Sequence, residues 1–180
     1  TSSTDQHMTG VQQDWRALQY VSEELRDEKM CRVSVQQNGR ALRLVPEDLR
    51  DEKMCRAAVQ QDGLVLRCVV LRYVPEAVQR ANPAIPLAAV AQNWEALYYV
   101  PADVKLALPA ICIAAVQQYG RALLYVPEAV QRAHPGIPLA AVQQDSEALQ
   151  YVPEDVQRAN PGMPLAAVKQ DIRALRYVPE

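Results

Sequence analysis

The chain of 180 residues contains no phenylalanine and few residues of several other types: two Trp, six Gly, four Cys and two His. So few cysteines and histidines leave little material for a metal centre or a disulfide framework. The longest apolar run, residues 106–116, has eleven residues and contains Pro109. A membrane-spanning helix needs about twenty apolar residues. We therefore expect no membrane partner.

No sign of charge dominates either. Nineteen Lys and Arg face 21 Asp and Glu, for a formal charge of −2, which argues against nucleic acid as the main partner. Apolar residues form 49% of the chain, which is typical of a folded protein. Alternation of period two is absent, whereas apolar residues cluster at helical spacings. The sequence therefore predicts an all-α fold.

An internal repeat organises the chain. The element Ala-Val-Gln-Gln and its variants place a valine at 11, 35, 59, 90, 116, 142 and 168, at intervals of 24, 24, 31, 26, 26 and 26 residues. Seven copies of one short unit predict a solenoid, in which each copy buries its apolar face against its neighbours. We expect a flexible segment at residues 1–10 and a single α-solenoid domain at 11–180. Its last unit stops at Glu180 before its second half, so we expect either further chain or self-association through this uncapped end.

The interval of 31 residues has a visible cause. Residues 65–69 read Val-Leu-Arg-Cys-Val, and residues 70–74 read Val-Leu-Arg-Tyr-Val. Five extra residues in a helix turn the following side chains by roughly 140° beyond a full rotation. We therefore expect a local irregularity at 65–74.

Within a unit, the sequence predicts a first helix, a turn, a second short helical segment and a third helix. Pairs such as Asn38-Gly39 are typical of the turn that ends the first helix. Pro153 is suited to the start of the third helix. We expect Asn82 and Asn160 to cap the first helix of the unit that follows each of them. The nearly fixed Ala and Leu six and seven residues after the repeated valine, and the Tyr nine residues after it, are predicted to form the core.

The repeated unit also resembles a known family. Residues 47–63 read Glu-Asp-Leu-Arg-Asp-Glu-Lys-Met-Cys-Arg-Ala-Ala-Val-Gln-Gln-Asp-Gly, and residues 20–42 carry a similar unit. They resemble a tandem helical repeat of unknown function whose unit is approximately Ala-Val-Lys-Gln-Asn-Gly-x-Ala-Leu-x-Tyr-Ala-Ser-x-Glu-Leu-Arg-Asn-Asp. That family occurs in bacterial effector-like, algal and protist proteins. The resemblance implies an interaction scaffold and brings no catalytic residues.

Cys31, Cys55 and Cys112 share one register, four residues before the repeated valine. Packed helices lie about 8–10 Å apart, whereas a disulfide needs Cα atoms within roughly 7 Å. We therefore interpret the three as buried reduced thiols. For Cys68, in the duplicated segment, a more exposed thiol is the alternative. Reduced thiols favour a reducing cytosol, either of the source cell or, after secretion, of a host.

The sequence offers no catalytic, cofactor-binding or metal-binding constellation. Neither histidine has a partner motif, and no glycine-rich phosphate loop is present. Acidic residues recur at equivalent positions, among them Glu128 and Glu154, where the starts of helices favour them. Catalysis needs a singular arrangement, so we expect no enzyme.

The surface that varies between units is the candidate binding site. Positions three, four, five and eight after the repeated valine change freely and are expected to share one edge. The candidate partner-binding residues there are Trp94, Tyr98, Tyr119, Arg121, Leu124, Trp15, Arg16, Arg40 and Arg43. Trp94 and Tyr98, four apart, share a face if the segment is α-helical; alternatively, Trp94 covers a gap between units. An arginine row comprises Arg16, Arg40, Arg43, Arg67, Arg72, Arg173 and Arg176, and the alternative is a solvated surface of mixed charge.

These observations predict a non-enzymatic protein–protein interaction scaffold, as a fragment of a larger bacterial effector-like protein. One alternative is a targeting or regulatory repeat segment of an enzyme whose catalytic domain lies outside this chain. The other is a nucleic-acid-binding solenoid that uses the arginine row.

Overall fold

A computed structural model describes residues 3–61 and 70–180, and over these ranges the chain is helical and has no strand. The all-α prediction is confirmed. The chain forms two compact units, residues 1–89 and 90–180. The α-helices are α1 Ser3–Gln13, α2 Glu28–Gln37, α3 Glu52–Gln61, α4 Glu76–Ala81, α5 Ala84–Gln92, α6 Ala102–Ala107, α7 Ala110–Gln118, α8 Glu128–Ala133, α9 Gly136–Gln144, α10 Glu154–Ala159 and α11 Gly162–Gln170. The 3₁₀ helices are Trp15–Tyr20, Glu23–Leu25, Gly39–Leu44, Glu47–Leu49, Val70–Tyr73, Trp94–Tyr99, Gly120–Tyr125, Ser146–Tyr151 and Ile172–Tyr177.

Two sequence predictions concern the segments at residues 1–10 and 65–74. Helix α1 begins at Ser3, so most of the segment 1–10 that we expected to be flexible has a helical conformation. The irregularity predicted at 65–74 falls largely on residues 62–69, which lie outside the described residues, as do Cys68 and Arg67.

In the described residues the repeats share one order of elements, an α-helix, a 3₁₀ helix and a short third helix, of which the last repeat contains the first two. The second segment, predicted only as helical, is a 3₁₀ helix because both its ends are fixed in extended backbone. Asp145 precedes Ser146–Tyr151 with φ −147° and ψ 113°, and Val152 follows with φ −89° and ψ 125°. Val152 is held extended by Pro153, since a residue before proline avoids the α region. Only six residues lie between these ends, and 3₁₀ helices are typically that short.

The core lies along one side of every repeat. In most repeats the structure buries an Ile or Met five residues before the repeated valine, a Leu seven residues after it and a Val ten residues after it; examples are Ile137, Leu149 and Val152. The prediction that the Tyr nine residues after the valine is core is wrong. Tyr20 is 82% exposed, and Tyr125 is only half-buried. A 3₁₀ helix turns about 120° per residue, so that position points away from the buried leucine two residues earlier.

Within each unit, successive repeats contact one another through equivalent elements. In residues 1–89, α1 packs on α2 and α2 on α3. In residues 90–180, α7 packs on α9 and α9 on α11, and each 3₁₀ helix contacts that of the next repeat. Equivalent surfaces are thus buried repeatedly along each unit.

The second glutamine of the Ala-Val-Gln-Gln element joins neighbouring repeats. Gln118 Nε2 donates to the Val90 carbonyl at 2.6 Å, and its Oε1 accepts from the Trp94 N–H at 3.0 Å. Gln144 Oε1 likewise accepts from Gly120 N–H at 2.6 Å, and Gln37 Nε2 donates to the Val11 carbonyl at 2.7 Å. These glutamines satisfy backbone groups that the preceding repeat leaves open at its helix ends.

A second polar position, fifteen residues after the repeated valine, also joins repeats. Arg26 donates to the carbonyls of Val21 and, in the next repeat, Leu44, at 2.9 and 2.6 Å. Gln131 donates in the same way to its own repeat and to the next, and Lys105 Nζ donates to the Tyr125 carbonyl at 2.9 Å. Lys105 and Gln131 are both buried. Their burial is accounted for by carbonyl partners that cross from one repeat to the next.

The predicted caps at Asn82 and Asn160 are wrong. Asn160 Nδ2 donates backwards to the Val156 carbonyl at 2.9 Å, and the cap residue of α11 is Pro161, without a side-chain hydrogen bond. The side chain of Asn82 faces Glu52. In both cases the side-chain amide faces a group that precedes it in the chain rather than the helix that follows. The backbone already turns at the following proline.

Candidate functional site

The variable edge of each repeat is carried by its six-residue 3₁₀ helix. An Asp or Asn cap begins most of these helices by accepting a hydrogen bond from the N–H two residues later. Asp14, Asn38, Asn93, Asp145 and Asp171 do so at 2.9–3.0 Å. The predicted turn pairs therefore end the α-helix and start the next helix with one side chain.

The 3₁₀ period sorts the predicted site residues into two groups. With about three residues per turn, positions five and eight after the repeated valine eclipse each other. We call this pair of positions the exposed face; it carries Tyr98, Arg121, Leu124, Arg16, Arg40 and Arg43. Trp94, Tyr119 and Trp15, at positions three and four, lie off it. Trp94 and Tyr98 do not share a face, because the α-helical spacing that we assumed for them does not apply.

Trp94 and Tyr119 belong to the boundary between two repeats. Their ring centroids are 4.6 Å apart, both residues are half-buried, and the Trp94 N–H is bound by Gln118. The geometry agrees with the alternative that Trp94 covers a gap between units. Trp15 contacts Arg16 of its own repeat, with the guanidinium carbon 5.4 Å from the ring centroid.

Two large apolar side chains project from the exposed face of residues 90–180. Tyr98 is 63% exposed and Leu124, at the same position of the next repeat, is 55% exposed. The Tyr98 ring makes edge contacts with Tyr99 and Tyr125, at centroid distances of 5.0 and 5.5 Å. These contacts hold the ring in place while leaving much of it accessible. We call Tyr98 and Leu124 the apolar patch.

Charges on the exposed face alternate along the four repeats of residues 90–180, where position five is Glu95, Arg121, Glu147 and Arg173 in turn. Arg121 binds Glu147 at 2.6 Å and Asp145 at 2.7 Å, and its hydrogen bond with Asp145 is the main cause that raises the pKa of Arg121 above its ordinary value. Arg173 pairs with Asp171 at 2.7 Å. Both arginines are thus neutralised locally.

The arginine row is distributed along the chain. Its members fall in both compact units, and Arg67 lies outside the described residues. Arg16 pairs with Asp14 at 3.4 Å, and Arg72 and Arg176 lie over the rings of Tyr73 and Tyr177. Arg40 is half-buried, whereas Arg43 is exposed. Several of these guanidinium groups are occupied by contacts within the chain.

The three cysteines in register are buried and unpaired: Cys31, Cys55 and Cys112. Burial is the main cause that raises their pKa values, to about 11, about 12 and about 11 respectively. Lys105, near Cys112, has its pKa lowered by burial. Protonated thiols are poor nucleophiles, so these side chains act as small apolar core residues.

A groove of about 650 Å³ lies between α9 and α11. It is lined by Leu139, Met163 and Ala166, and by Gly136 and Gly162, beside which a Cβ would meet open space. Sister repeats have Ala84 and Ala110 at the glycine positions. The groove was not predicted from the sequence. The feature of the sequence that marks it is the pair Gly136 and Gly162.

Comparison with known proteins adds one family. A family model described as Domain of unknown function (DUF4116) matches residues 8–50, which hold the first two repeated valines. This match and the helical structure support a helical repeat of unknown function. No curated protein and no solved structure matches the chain. Among the described residues, no helix has the length and apolar character to cross a bilayer, and no three potential ligands cluster as a metal site.

Proposed function

We propose that the chain is a non-enzymatic protein–protein interaction scaffold, an α-solenoid of about seven repeats that forms part of a larger bacterial effector-like protein. The single observation that carries this proposal is the apolar patch. Two large apolar side chains occupy equivalent positions of adjacent repeats, where they face solvent. Large exposed apolar groups next to one another typically mark a protein contact.

The division of labour among polar groups supports the same proposal. Gln118 and Gln131 bind backbone groups of neighbouring repeats and so stabilise the stack. The side chains at positions five and eight lie on its outer surface, where their links between repeats, such as the ion pair of Arg121 with Glu147, are exposed and contribute little to stability. A repeat protein can therefore change these positions to suit a partner without changing its fold.

The test is affinity capture from a host-like lysate, followed by mass spectrometry, with the double variant Tyr98→Ala/Leu124→Ala. The matched control is Gln150→Ala, which changes the exposed face of the next repeat and removes no apolar group. We expect a partner that the unmodified chain and the control retain and the double variant loses, with unchanged circular dichroism. Equal capture by all three would refute the patch as the binding site.

The alternatives predict other outcomes of the same experiment. A nucleic-acid-binding surface would give an association that falls steeply with salt and depends on Arg43 rather than on the apolar patch. A targeting or regulatory segment would show no specific capture by this chain alone, with an effect on a catalytic domain when the two are joined.

A further inference from the structure

The exposed face beside the apolar patch carries an excess of negative charge. Glu95 eclipses Tyr98 on the same 3₁₀ helix, is exposed, and forms no ion pair with the residues that the structure describes. One repeat further on, Arg121 is held by Asp145 and Glu147, so this triad has a net charge of −1. The surface around the patch therefore complements a cation.

The chain itself shows how a cation sits on this edge. In the last repeat Arg176 occupies position eight, and its guanidinium carbon lies 4.7 Å from the ring centroid of the adjacent Tyr177. Arg72 lies over Tyr73 at 5.2 Å in the same way. In the repeat of Glu95 position eight is Tyr98, and its ring packs edge-on against Tyr99 in the place of that arginine. The Tyr98 ring is itself exposed, so an arginine from outside can stack on it.

We propose that this surface binds an extended basic and apolar segment of another protein, in which an arginine pairs with Glu95 and stacks on Tyr98 while an apolar side chain packs on Leu124. The inference rests on the proposed function and specifies its partner.

The spacing of the two anchors follows from the repeat. Adjacent 3₁₀ helices are in contact, and packed helices lie about 8–10 Å apart. A polyproline-like extended peptide rises about 3.1 Å per residue, so three residues span about 9 Å. The arginine and the apolar residue of the partner are therefore expected at positions i and i+3.

The surface is a poor match for a nucleic acid. Glu95 and the Arg121 triad would repel phosphates, and the exposed groups at their centre are apolar. The same charges favour a guanidinium, which pairs with a carboxylate and stacks on an aromatic ring at once.

The probe is a fluorescein-labelled peptide with the central sequence Leu-Ser-Ser-Arg-Ser-Ser-Leu, which presents the i and i+3 spacing in both chain directions. Control peptides replace its Arg with Glu, or both Leu with Ser. Binding to the full chain is measured by fluorescence anisotropy. We expect the Arg peptide to bind at least tenfold more tightly than either control, and Glu95→Gln to weaken it three- to tenfold. The variant Glu95→Arg should reverse the preference in favour of the Glu peptide.

Two results separate this inference from the proposed function. If Tyr98→Ala/Leu124→Ala loses its captured partner while Glu95→Arg leaves both partner capture and peptide preference unchanged, the basic segment is refuted and the scaffold stands. If the double variant also captures normally, both fail. Glu95→Arg changes an exposed side chain, so we expect its circular dichroism spectrum to be unchanged. An unchanged spectrum would show that a loss of binding by this variant is not a loss of fold.

Discussion

Two adjacent glutamines that look alike in sequence should differ sharply in their effect on stability. We predict that Gln118→Ala destabilises the chain and that Gln117→Ala does not. Gln118 bridges two repeats through the Val90 carbonyl and the Trp94 N–H. Its neighbour Gln117 is exposed and lies one residue before the bridging position. The same contrast should hold for Gln143 and Gln144.

The magnitude follows from the two backbone groups that lose a partner. A hydrogen bond contributes about 0.5–1.5 kcal/mol net, and a buried group left unsatisfied costs about 1–3 kcal/mol. Water can reach part of this site, because the Gln118 residue as a whole is exposed. We therefore expect Gln118→Ala to lower the free energy of unfolding by about 1–3 kcal/mol and Gln117→Ala to change it by less than about 0.5 kcal/mol.

Urea denaturation followed by circular dichroism measures both values. The midpoint should fall for Gln118→Ala at an unchanged slope, because the same surface is exposed on unfolding. Equal midpoints for the two variants would refute the bridging role of this position.

Three further predictions concern single positions. Gly120→Ala should destabilise by about 1–3 kcal/mol, since a Cβ there would collide with the backbone oxygen of Ala141. Gly136→Ala, beside open space, should be neutral or slightly stabilising, and equal urea midpoints for the two variants would contradict this. Lys105→Gln should keep the link to the next repeat, as Gln131 does, and be at least as stable near neutral pH. Burial lowers the pKa of Lys105 in the folded chain below the ordinary value of 10.5. Between the folded and unfolded pKa values the unfolded chain binds more protons, so the contribution of Lys105 to stability rises with pH towards 10.5. The difference in stability between the unmodified chain and Lys105→Gln should therefore shrink when denaturation is measured at successively higher pH. Burial raises the pKa values of the three buried thiols from 9.0 to about 11 or 12. Each thiol should therefore lower the free energy of unfolding by about 1 kcal/mol at about pH 10, because the unfolded chain then loses thiol protons that the folded chain retains. In a Cys112→Ala variant the decline of stability above about pH 9 should be shallower.

The helical composition could be predicted because it depends on local signals. Apolar spacing, the Asn38-Gly39 pair and Pro153 each mark a helix or its end within a few residues. The bridges made by Gln118 and Lys105 could not be predicted, because their partners lie a full repeat away. A sequence of Gln-Gln shows no difference between a side chain that points at a neighbouring backbone and one that points into solvent.

The period of the second helix decided the candidate site for a related reason. The variable positions were expected to share one edge, and an α-helical spacing joined Trp94 to Tyr98. The choice between about 3.6 and about 3.0 residues per turn depends on the extended residues at both ends of a six-residue segment. Once that period is known, Trp94 joins Tyr119 between repeats, and Leu124 becomes the neighbour of Tyr98.

The same period explains how one repeat can serve both stability and recognition. In the 3₁₀ helix, positions five and eight after the repeated valine eclipse on the exposed side. Leu97 within the helix and Val100, the extended residue that follows it, fill the core while Glu95 and Tyr98, interleaved with them in sequence, face solvent. Because the bridging glutamines lie on the preceding α-helix, a change at Glu95 removes no link between repeats, and a change at Tyr98 removes only its edge contact with Tyr125. This arrangement is the physical reason to expect binding variants of these residues to fold normally.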